Sequence, residues 1–518
     1  MGTIMDLKAS RIFLLFLLIF LKDDHGASTS SFVGECTIGV FSGRVTSDGR
    51  PILWKNRDVT NAVQKFCFFR PQVMGGETTL AFVANAYSND TTRVYMGLNA
   101  AGFGVMNSNT YNLNDDMNNG IDDGAIMQMA LQSCRRLSDF EKILDVTSVA
   151  GRKDCWNFGA IDAFGDGAIY ECSNRSYVKY DVNDSLMEGD GLVLRATFSF
   201  SGGDSLDGFA RYKRAQYLVK KRLGEEPIDA GFVLQTLARD LANPLADPYP
   251  LPYDGSQNGR PAGFILARNV TINRDISRSV IVIRGVTPGE DPALATIYAM
   301  IGPAVLSVAF PMWVGSECVP PMLHDGSEVA MYAEVMRRRP VLYSLQGDDA
   351  YLNSRYLVGK HGVGLYTFTL PLENGMLSTV EDYLSDWRHE PPGREVFANV
   401  QNALAETIFA GYRQIPLRFD GEMAQEGDEG ATIANFPNPF NNSTTISLSG
   451  FGGNESVALS IYNITGQKIR DFESPAGSAR IVTWDGRDGF GNAVASGVYF
   501  ASAVGKSRSL TTKMILMK

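Results

Sequence analysis

Histidine is scarce: only His25, His324, His361 and His389 occur in 518 residues. No HExxH, HxxxH or CxxC pattern is present, which speaks against a zinc site built from histidine or paired cysteine. A Ser–His or Cys–His pair would have few histidines to draw on. Basic excess is also missing. The 47 Lys and Arg stand against 57 Asp and Glu, a formal charge of −10. With no phosphate-neutralising cluster, neither nucleic acid nor an anionic membrane surface is an expected partner. Beyond residue 21 no run approaches 18 uninterrupted apolar residues, so the mature chain is expected to carry no integral membrane segment. Six cysteines occur: Cys36, Cys67, Cys134, Cys155, Cys172 and Cys318. If Cys36 is a working thiol, the remaining five cannot all pair internally. Cys155 and Cys172 bracket the hairpin-like "WNFGAIDAFGDGAIYE", which fits either a cross-strand disulfide or two buried thiols.

With 44% hydrophobic residues, the chain can bury the cores of two or three domains. Lys8 and Arg11 precede the ten-residue apolar run "IFLLFLLIFL", followed by "KDDHGAS". A basic start, a short apolar stretch and then small polar residues read as a secretory signal over 1–27, with a short propeptide over 28–35. Residues 421–432, "GEMAQEGDEGAT", read as a linker between 36–420 and 433–518. Before the linker, strands such as "TIGVFSGRVT", "NFGAIDA" and "SVIVIRGV" alternate with helical periodicity in "DDGAIMQMALQSCRR", "RYKRAQYLVKKRL", "AGFVLQTLARDLANP" and "EVFANVQNALAETIFAGY". Ser138 and Glu141 have the spacing of a capping box. The mixture predicts a layered α+β domain. "NLNDDMNNGIDDG" (112–124) lacks the glycine and final glutamate of an EF-hand loop. It reads as a loop at a pocket mouth, and no metal or organic cofactor is expected.

After the linker, short strands such as "TTISLS" and "GVYFASAVG" are separated by Gly, Asn and Asp turns, which predicts a small all-β immunoglobulin-like sandwich. Trp484, Tyr462 and Tyr499 fall at strand spacing, as core residues or a binding face. "NFPNPFNNSTTISL", "IYNITGQKIRDF", "TWDGRDGFGNAVASGVYF" and the terminal "KMILMK" together resemble the C-terminal sorting domain of the type IX secretion system. That resemblance implies the secretion machinery as a partner. It also implies a secreted or cell-surface location in a bacterium with an outer membrane.

Cys36 stands in "GECTIGVFSGRVTSDGRPILWKNRD". Glu35 before it, and the distance from the apolar run, argue against a lipid-bearing cysteine. A buried or disulfide cysteine is one alternative. Cleavage between Glu35 and Cys36 is the other. It would give the thiol its own base, an α-amine of pKa about 7.7–8.0. No histidine is then required. A turn at "SDG" (47–49) would return the chain and bring Lys55, Arg57 and Asp58 towards Cys36. A carboxylate there can orient the amine, and a cation can favour thiolate.

These residues resemble the choloylglycine hydrolase and penicillin acylase group of cysteine N-terminal-nucleophile hydrolases, and more closely the branch with isopenicillin N acyltransferase. The resemblance spans about residues 36–315. It implies a four-layer αββα sandwich, with Cys36 as nucleophile and Asp58 orienting the amine. "GLNAAGFGVMNSN" matches a family segment that puts Asn109 in the oxyanion hole, and "ARYKRA" matches one that puts Arg211 in the active site. Lys55 falls where bile-salt hydrolases carry an arginine, with Arg57 as a second cation. Thr197 stands where the family has an oxyanion asparagine. The implied activity is hydrolysis of linear amide C–N bonds of small molecules, or acyl transfer. The alternatives are a cysteine dipeptidase of the same class, or a catalytically weak surface binding or scaffold protein.

Overall fold

Two antiparallel sheets frame the Cys36 hairpin. In the first, six strands lie in the order Leu192–Arg195, Thr37–Phe41, Ile52–Asp58, Ser277–Arg284, Thr296–Ile301 and Phe310–Met312. The second has seven, in the order Tyr177–Asp181, Gly167–Cys172, Trp156–Ile161, Gly104–Asn109, Met96–Asn99, Phe82–Tyr87 and Gln64–Phe69. The computed structural model describes residues 35–60, 63–113, 119–184, 190–324, 329–347, 349–359, 362–419, 432–449, 451, 456–473, 480–505 and 509–517. The predicted signal, the propeptide before Glu35, and nearly all of the linker lie outside the described residues. His25, His361 and the middle of the 112–124 loop do so too.

The inner faces of the sheets meet where side chains are small. A Cβ added to Gly159 would lie 3.2 Å from Leu53 and 3.3 Å from Val40. Close sheet approach there requires the missing side chain. Ile38, Val40, Leu53, Ile281 and Ile283 from the first sheet share one buried core with Met96, Met106 and Ile161 from the second. Strand alternation explains this, since every second residue points inward.

Helices Asp123–Ser133 and Leu137–Ala150 carry Ile126, Leu131, Phe140 and Ile143 into a second core with Val105, Phe158 and Tyr170 of the seven-stranded sheet. Asp122 caps the first helix by accepting from Ala125 N at 2.9 Å. The predicted Ser138–Glu141 capping box does not form. The second helix begins at Leu137, and its N–H donates 3.0 Å to the distant Asp162 carboxylate. Glu141 instead accepts from the Tyr170 hydroxyl at 3.0 Å.

Helices Phe209–Glu225, Ala330–Leu342, Tyr366–Trp387 and Arg394–Gln414 contribute to the core that includes the first sheet. The predicted helix over 230–244 is cut short. One α turn at Ala230–Phe232 runs into a π turn at Val233–Leu237. The helices Ala330–Leu342 and Tyr366–Trp387 contain Pro340 and Pro371 and were not legible as helices. The hairpin connection also differs from a tight turn at 47–49. Phe41 pairs with Ile52, so the connecting loop spans residues 42–51. Cys155 and Cys172 are buried thiols.

After the linker, two antiparallel sheets of three and four strands form with no helix among the described residues. Their core joins Phe440, Ile446, Ile461, Trp484, Tyr499 and Met514. Trp484 and Tyr499 pack with ring centroids 5.0 Å apart. They are core residues.

The loop after Leu192–Arg195 is fixed by a fully buried ion pair. Arg195 Nε donates to Glu171 Oε1 at 2.6 Å. Glu171 also accepts from the backbone N–H of Phe200 at 2.8 Å and of Ser201 at 2.7 Å. Glu171→Ala takes the carboxylate away from a buried guanidinium and strips two backbone N–H groups of their acceptor. It is expected to destabilise this part by roughly 3–5 kcal/mol. Denaturant unfolding checks this, and an unchanged midpoint would refute the role.

Candidate active site

Cys36 is buried just ahead of the Thr37–Phe41 strand. Thr37 pairs with Asn56, so the ladder continues with Cys36 opposite Arg57 and Glu35 opposite Asp58. The Glu35 N–H donates to the Asp58 carbonyl at 3.2 Å. Alternation puts Cys36, Ile38 and Val40 on the face towards the second sheet. Leu53, Lys55 and Arg57 share that face, whereas Asp58 takes the opposite one.

Lys55 is wholly buried. Its Nζ donates to Asn107 Oδ1 at 2.6 Å and to the Tyr95 carbonyl at 3.0 Å. Asn107 Nδ2 donates in turn to Asp123 Oδ2 at 2.8 Å. Burial lowers Lys55 to about 8, opposed by its electrostatic interaction with Cys36 and with the Asp123 and Asp58 carboxylates. Burial raises Asp123 to about 6, with Asp122 adding to it. Arg57 is held away from this chain of contacts. Its Nε donates to Gln64 at 3.0 Å, and its guanidinium lies 3.8 Å over the Tyr95 ring.

On the opposite face Asp58 meets three residues from distant segments. Its Oδ1 accepts from Ser277 Oγ at 2.6 Å. Its Oδ2 has no hydrogen-bond partner among the described residues and lies 3.6 Å from both Arg211 and Arg274. Burial pushes the carboxyl upward, against the pull of Arg274, Arg211 and Ser277. Both guanidiniums reach the peptide bond before Cys36. Arg211 donates to the Glu35 carbonyl at 2.8 Å and Arg274 to the same oxygen at 3.3 Å. Arg274 also pairs with Glu35 Oε2 at 2.6 Å.

Thr197 supports Arg211. Its hydroxyl accepts from Arg211 at 2.9 Å and reaches Asp207 Oδ2 at 2.8 Å and the Asp207 carbonyl at 3.0 Å. The close approach depends on Gly208, in the left-handed region at φ 75°. A Cβ there would lie 2.5 Å from the Arg211 guanidinium and 2.6 Å from Thr197 Oγ1. Asn109 ends its strand half-buried, in register with Trp156.

The hairpin thus brings Cys36, Lys55, Arg57 and Asp58 together, and the fold adds Arg211 and Thr197. Sequence reasoning missed Arg274, Ser277, Asn107 and Asp123. The polar run "NRDISRS" (273–279) ahead of the apolar strand was the available signal for the first two. A separate cleft of about 430 Å³ opens near Ile52, at the other end of the hairpin. Its Arg284 is already paired with Asp48 and Glu381.

Comparison with known proteins finds two separate matches along the chain. Residues 45–188 match the acyl-coenzyme A:6-aminopenicillanic acid acyl-transferase family, beginning just after Cys36. Residues 434–517 match the secretion system C-terminal sorting domain. No curated protein matches. Penicillin V acylase from Agrobacterium tumefaciens is 15% identical, over 54% of this chain and 86% of that chain, with a TM-score of 0.33. A mutant of conjugated bile acid hydrolase from Clostridium perfringens is 12% identical, over 51% of this chain and 89% of that chain, with a TM-score of 0.31. PorZ, a type IX secretion component of Porphyromonas gingivalis, is 24% identical over 17% of this chain and 11% of its own, with a TM-score of 0.14. The chain therefore carries a segment similar to the acyl-transferase family over residues 45–188 and a C-terminal secretion sorting domain. The latter marks it as secreted or cell-surface in a bacterium with an outer membrane. Among the described residues no helix is long and apolar enough to cross a membrane.

Thr197→Val keeps the shape but strips Arg211 of one buried acceptor. It is expected to cost about 1–3 kcal/mol, read as a lower unfolding midpoint. Unchanged stability would mean that Thr197 does not hold the guanidinium.

Proposed function

We propose that the chain is a secreted N-terminal-cysteine amidohydrolase, able in principle to pass its acyl group to an amine. It would act on linear amide C–N bonds and be matured by its own cleavage between Glu35 and Cys36. The observation that carries this reading is the Glu35 carbonyl, held by two buried guanidiniums directly ahead of a buried thiol. In this reading residues 36–420 are the catalytic domain, and the two stacked sheets with their outer helices are an αββα sandwich. Residues 421–432 are the linker, and 433–518 are the sorting domain, which meets the secretion machinery.

Before cleavage the Cys36 nitrogen is an amide and cannot act as a base. Lys55, lowered to about 8, takes the thiol proton and remains as a cation beside the thiolate. The sulfur attacks the Glu35 carbonyl carbon. Charge develops on an oxygen that Arg211 and Arg274 already face, which is the arrangement that stabilises a tetrahedral intermediate. The C–N bond breaks, a proton passes to the leaving nitrogen, and water hydrolyses the Glu35 thioester. This frees the thiol and an α-amine beside Asp58 Oδ2, which has an acceptor position to spare.

In turnover, Cys36 attacks the substrate carbonyl, and the α-amine accepts the thiol proton and returns it to the leaving amine. Asp58 orients that amine. Asn109 supplies the oxyanion donor, with Arg211 placed by Thr197. Thr197 is reassigned from oxyanion donor to positioning residue, because its hydroxyl is occupied by Asp207 and Arg211. Arg57 serves the packing around Tyr95.

Cys36→Ala in the full chain is expected to abolish both cleavage before residue 36 and hydrolysis of acyl amides. N-terminal mass analysis and an amide screen check the two separately. Normal maturation of the variant would end the self-cleavage reading, and retained hydrolysis would end the nucleophile assignment.

Lys55 also sets a pH limb. Its folded pKa lies below the usual 10.5, at about 8, so it is a cation below that pH and neutral above. The charge that favours thiolate is therefore lost as pH rises through about 8, and kcat/KM should fall there. Lys55→Met should remove the limb and lower the neutral-pH rate by about 10-fold. An unchanged pH–rate profile in the variant would exclude Lys55.

A further inference from the structure

The side chain of Glu35 sits in a built anion site that the reaction does not need for Glu35 itself. Its carboxylate lies 2.6 Å from Arg274, which is 1% exposed. Arg211, also fully buried, and Arg274 share Asp58 at 3.6 Å. The charges around this point come from four elements. The hairpin supplies Asp58, the Phe209–Glu225 helix supplies Arg211, and the segment before the Ser277–Arg284 strand supplies Arg274. The same strand supplies Arg278, whose guanidinium is turned to the carbonyls of Asp275 and Ser277. Asp275 is engaged with Arg339 at 3.2 Å. Asp207, exposed, reaches Arg211 through Thr197. While Glu35 is in place, two cations face two carboxylates.

Cleavage removes Glu35 and its carboxylate and adds an ionisable amine on Cys36. Asp58 is then the one carboxylate that both guanidiniums share, with Arg274 keeping Asn269 Oδ1 and Arg211 keeping Thr197 Oγ1. The Nε atoms of Arg211 and Arg274 are already without acceptors among the described residues. An uncompensated buried cation is costly, and an anionic ligand relieves that cost. Glu35 is the acyl half of the bond that Cys36 attacks in the precursor. An acyl chain with a carboxylate at glutamyl distance therefore presents the same groups to the same atoms. We propose that the slot vacated by Glu35 is the acyl subsite of the matured protein, and that it selects linear amides whose acyl half carries a carboxylate. The inference rests on the self-cleavage reading given above.

Two probes differ only in that charge: the p-nitroanilides of N-acetyl-L-glutamate and N-acetyl-L-glutamine. The matured wild-type chain should hydrolyse the acidic probe with at least about 10-fold higher kcat/KM, and Arg274→Gln should bring the ratio close to one. Cleavage of both probes at equal rates, or a preference for the neutral probe, would overturn the proposal and leave the amidase reading standing. Binding provides an arm independent of turnover. In a chain starting at residue 36 and carrying Cys36→Ala, N-acetyl-L-glutamate should raise the melting temperature and N-acetyl-L-glutamine should not. Absence of a shift with the acid would overturn the proposal. A shift with the acid, in a protein whose wild-type form cleaves neither probe, would uphold the subsite and remove the amidase reading instead.

Discussion

Two buried guanidiniums converge on one carboxylate and one peptide carbonyl, and the fold around Cys36 is arranged to make that tolerable. Arg211 and Arg274 are almost completely removed from water, and each needs anions within a few ångströms. Asp58 supplies one, from the end of the central hairpin strand, and Ser277 holds its other oxygen at 2.6 Å. Glu35 supplies a carbonyl and a second carboxylate. Three chain segments far apart in sequence must therefore arrive at one place. The interlocking register of the first sheet brings two of them there. The Phe209–Glu225 helix, started at a glycine that no other residue could replace without displacing Arg211, brings the third.

The two faces of the hairpin strand divide the work. Towards the second sheet, Lys55 is wired through Asn107 to Asp123, a chain of hydrogen bonds that fixes its amine on the strand face shared with Cys36. Away from it, Asp58 and the arginines hold the backbone before Cys36. On the proposed reading, proton transfer belongs to one face and charge stabilisation to the other. The period-2 geometry of a strand lets adjacent residues serve both without competing for space. The scarcity of histidine is consistent with this, since a buried lysine and a freed amine both work near neutral pH.

What was legible in the sequence was local. The hairpin residues Lys55, Arg57 and Asp58 could be placed near Cys36 because a returning strand needs only a turn and alternation. The C-terminal strands were legible for the same reason, since each is short and bounded by turn residues. Arg274 and Ser277 were not, because Ser277 meets Asp58 across 219 residues of chain, through a register shift between Ser277 and Ser279. Thr197 was placed in the right region, but its hydroxyl partners depend on Gly208 and Asp207, which only the folded loop brings near. The Ser138–Glu141 pattern failed because Asp162, from another strand turn, satisfies the helix start first. Pro340 and Pro371 masked two helices, since proline is normally read as a breaker, yet packing against the main core overrides that local preference.

The C-terminal module shows why its addition leaves this machinery intact. Its core of Phe440, Ile446, Ile461, Trp484 and Met514 is its own, and Trp484 and Tyr499 are spent inside it, whereas Phe490 is exposed. Phe436, at its entry, instead packs 5.7 Å from Phe368 of the preceding part of the chain, and Gln414 donates to the Asn438 carbonyl at 3.2 Å. These contacts fall on the Tyr366–Trp387 and Arg394–Gln414 helices, elements that supply none of the residues gathered around Cys36. A module that stabilises itself and makes these contacts away from Asp58 can carry an export signal without altering the charge balance there. On the proposed reading, maturation before Cys36 and recognition by the secretion machinery act on opposite ends of the chain.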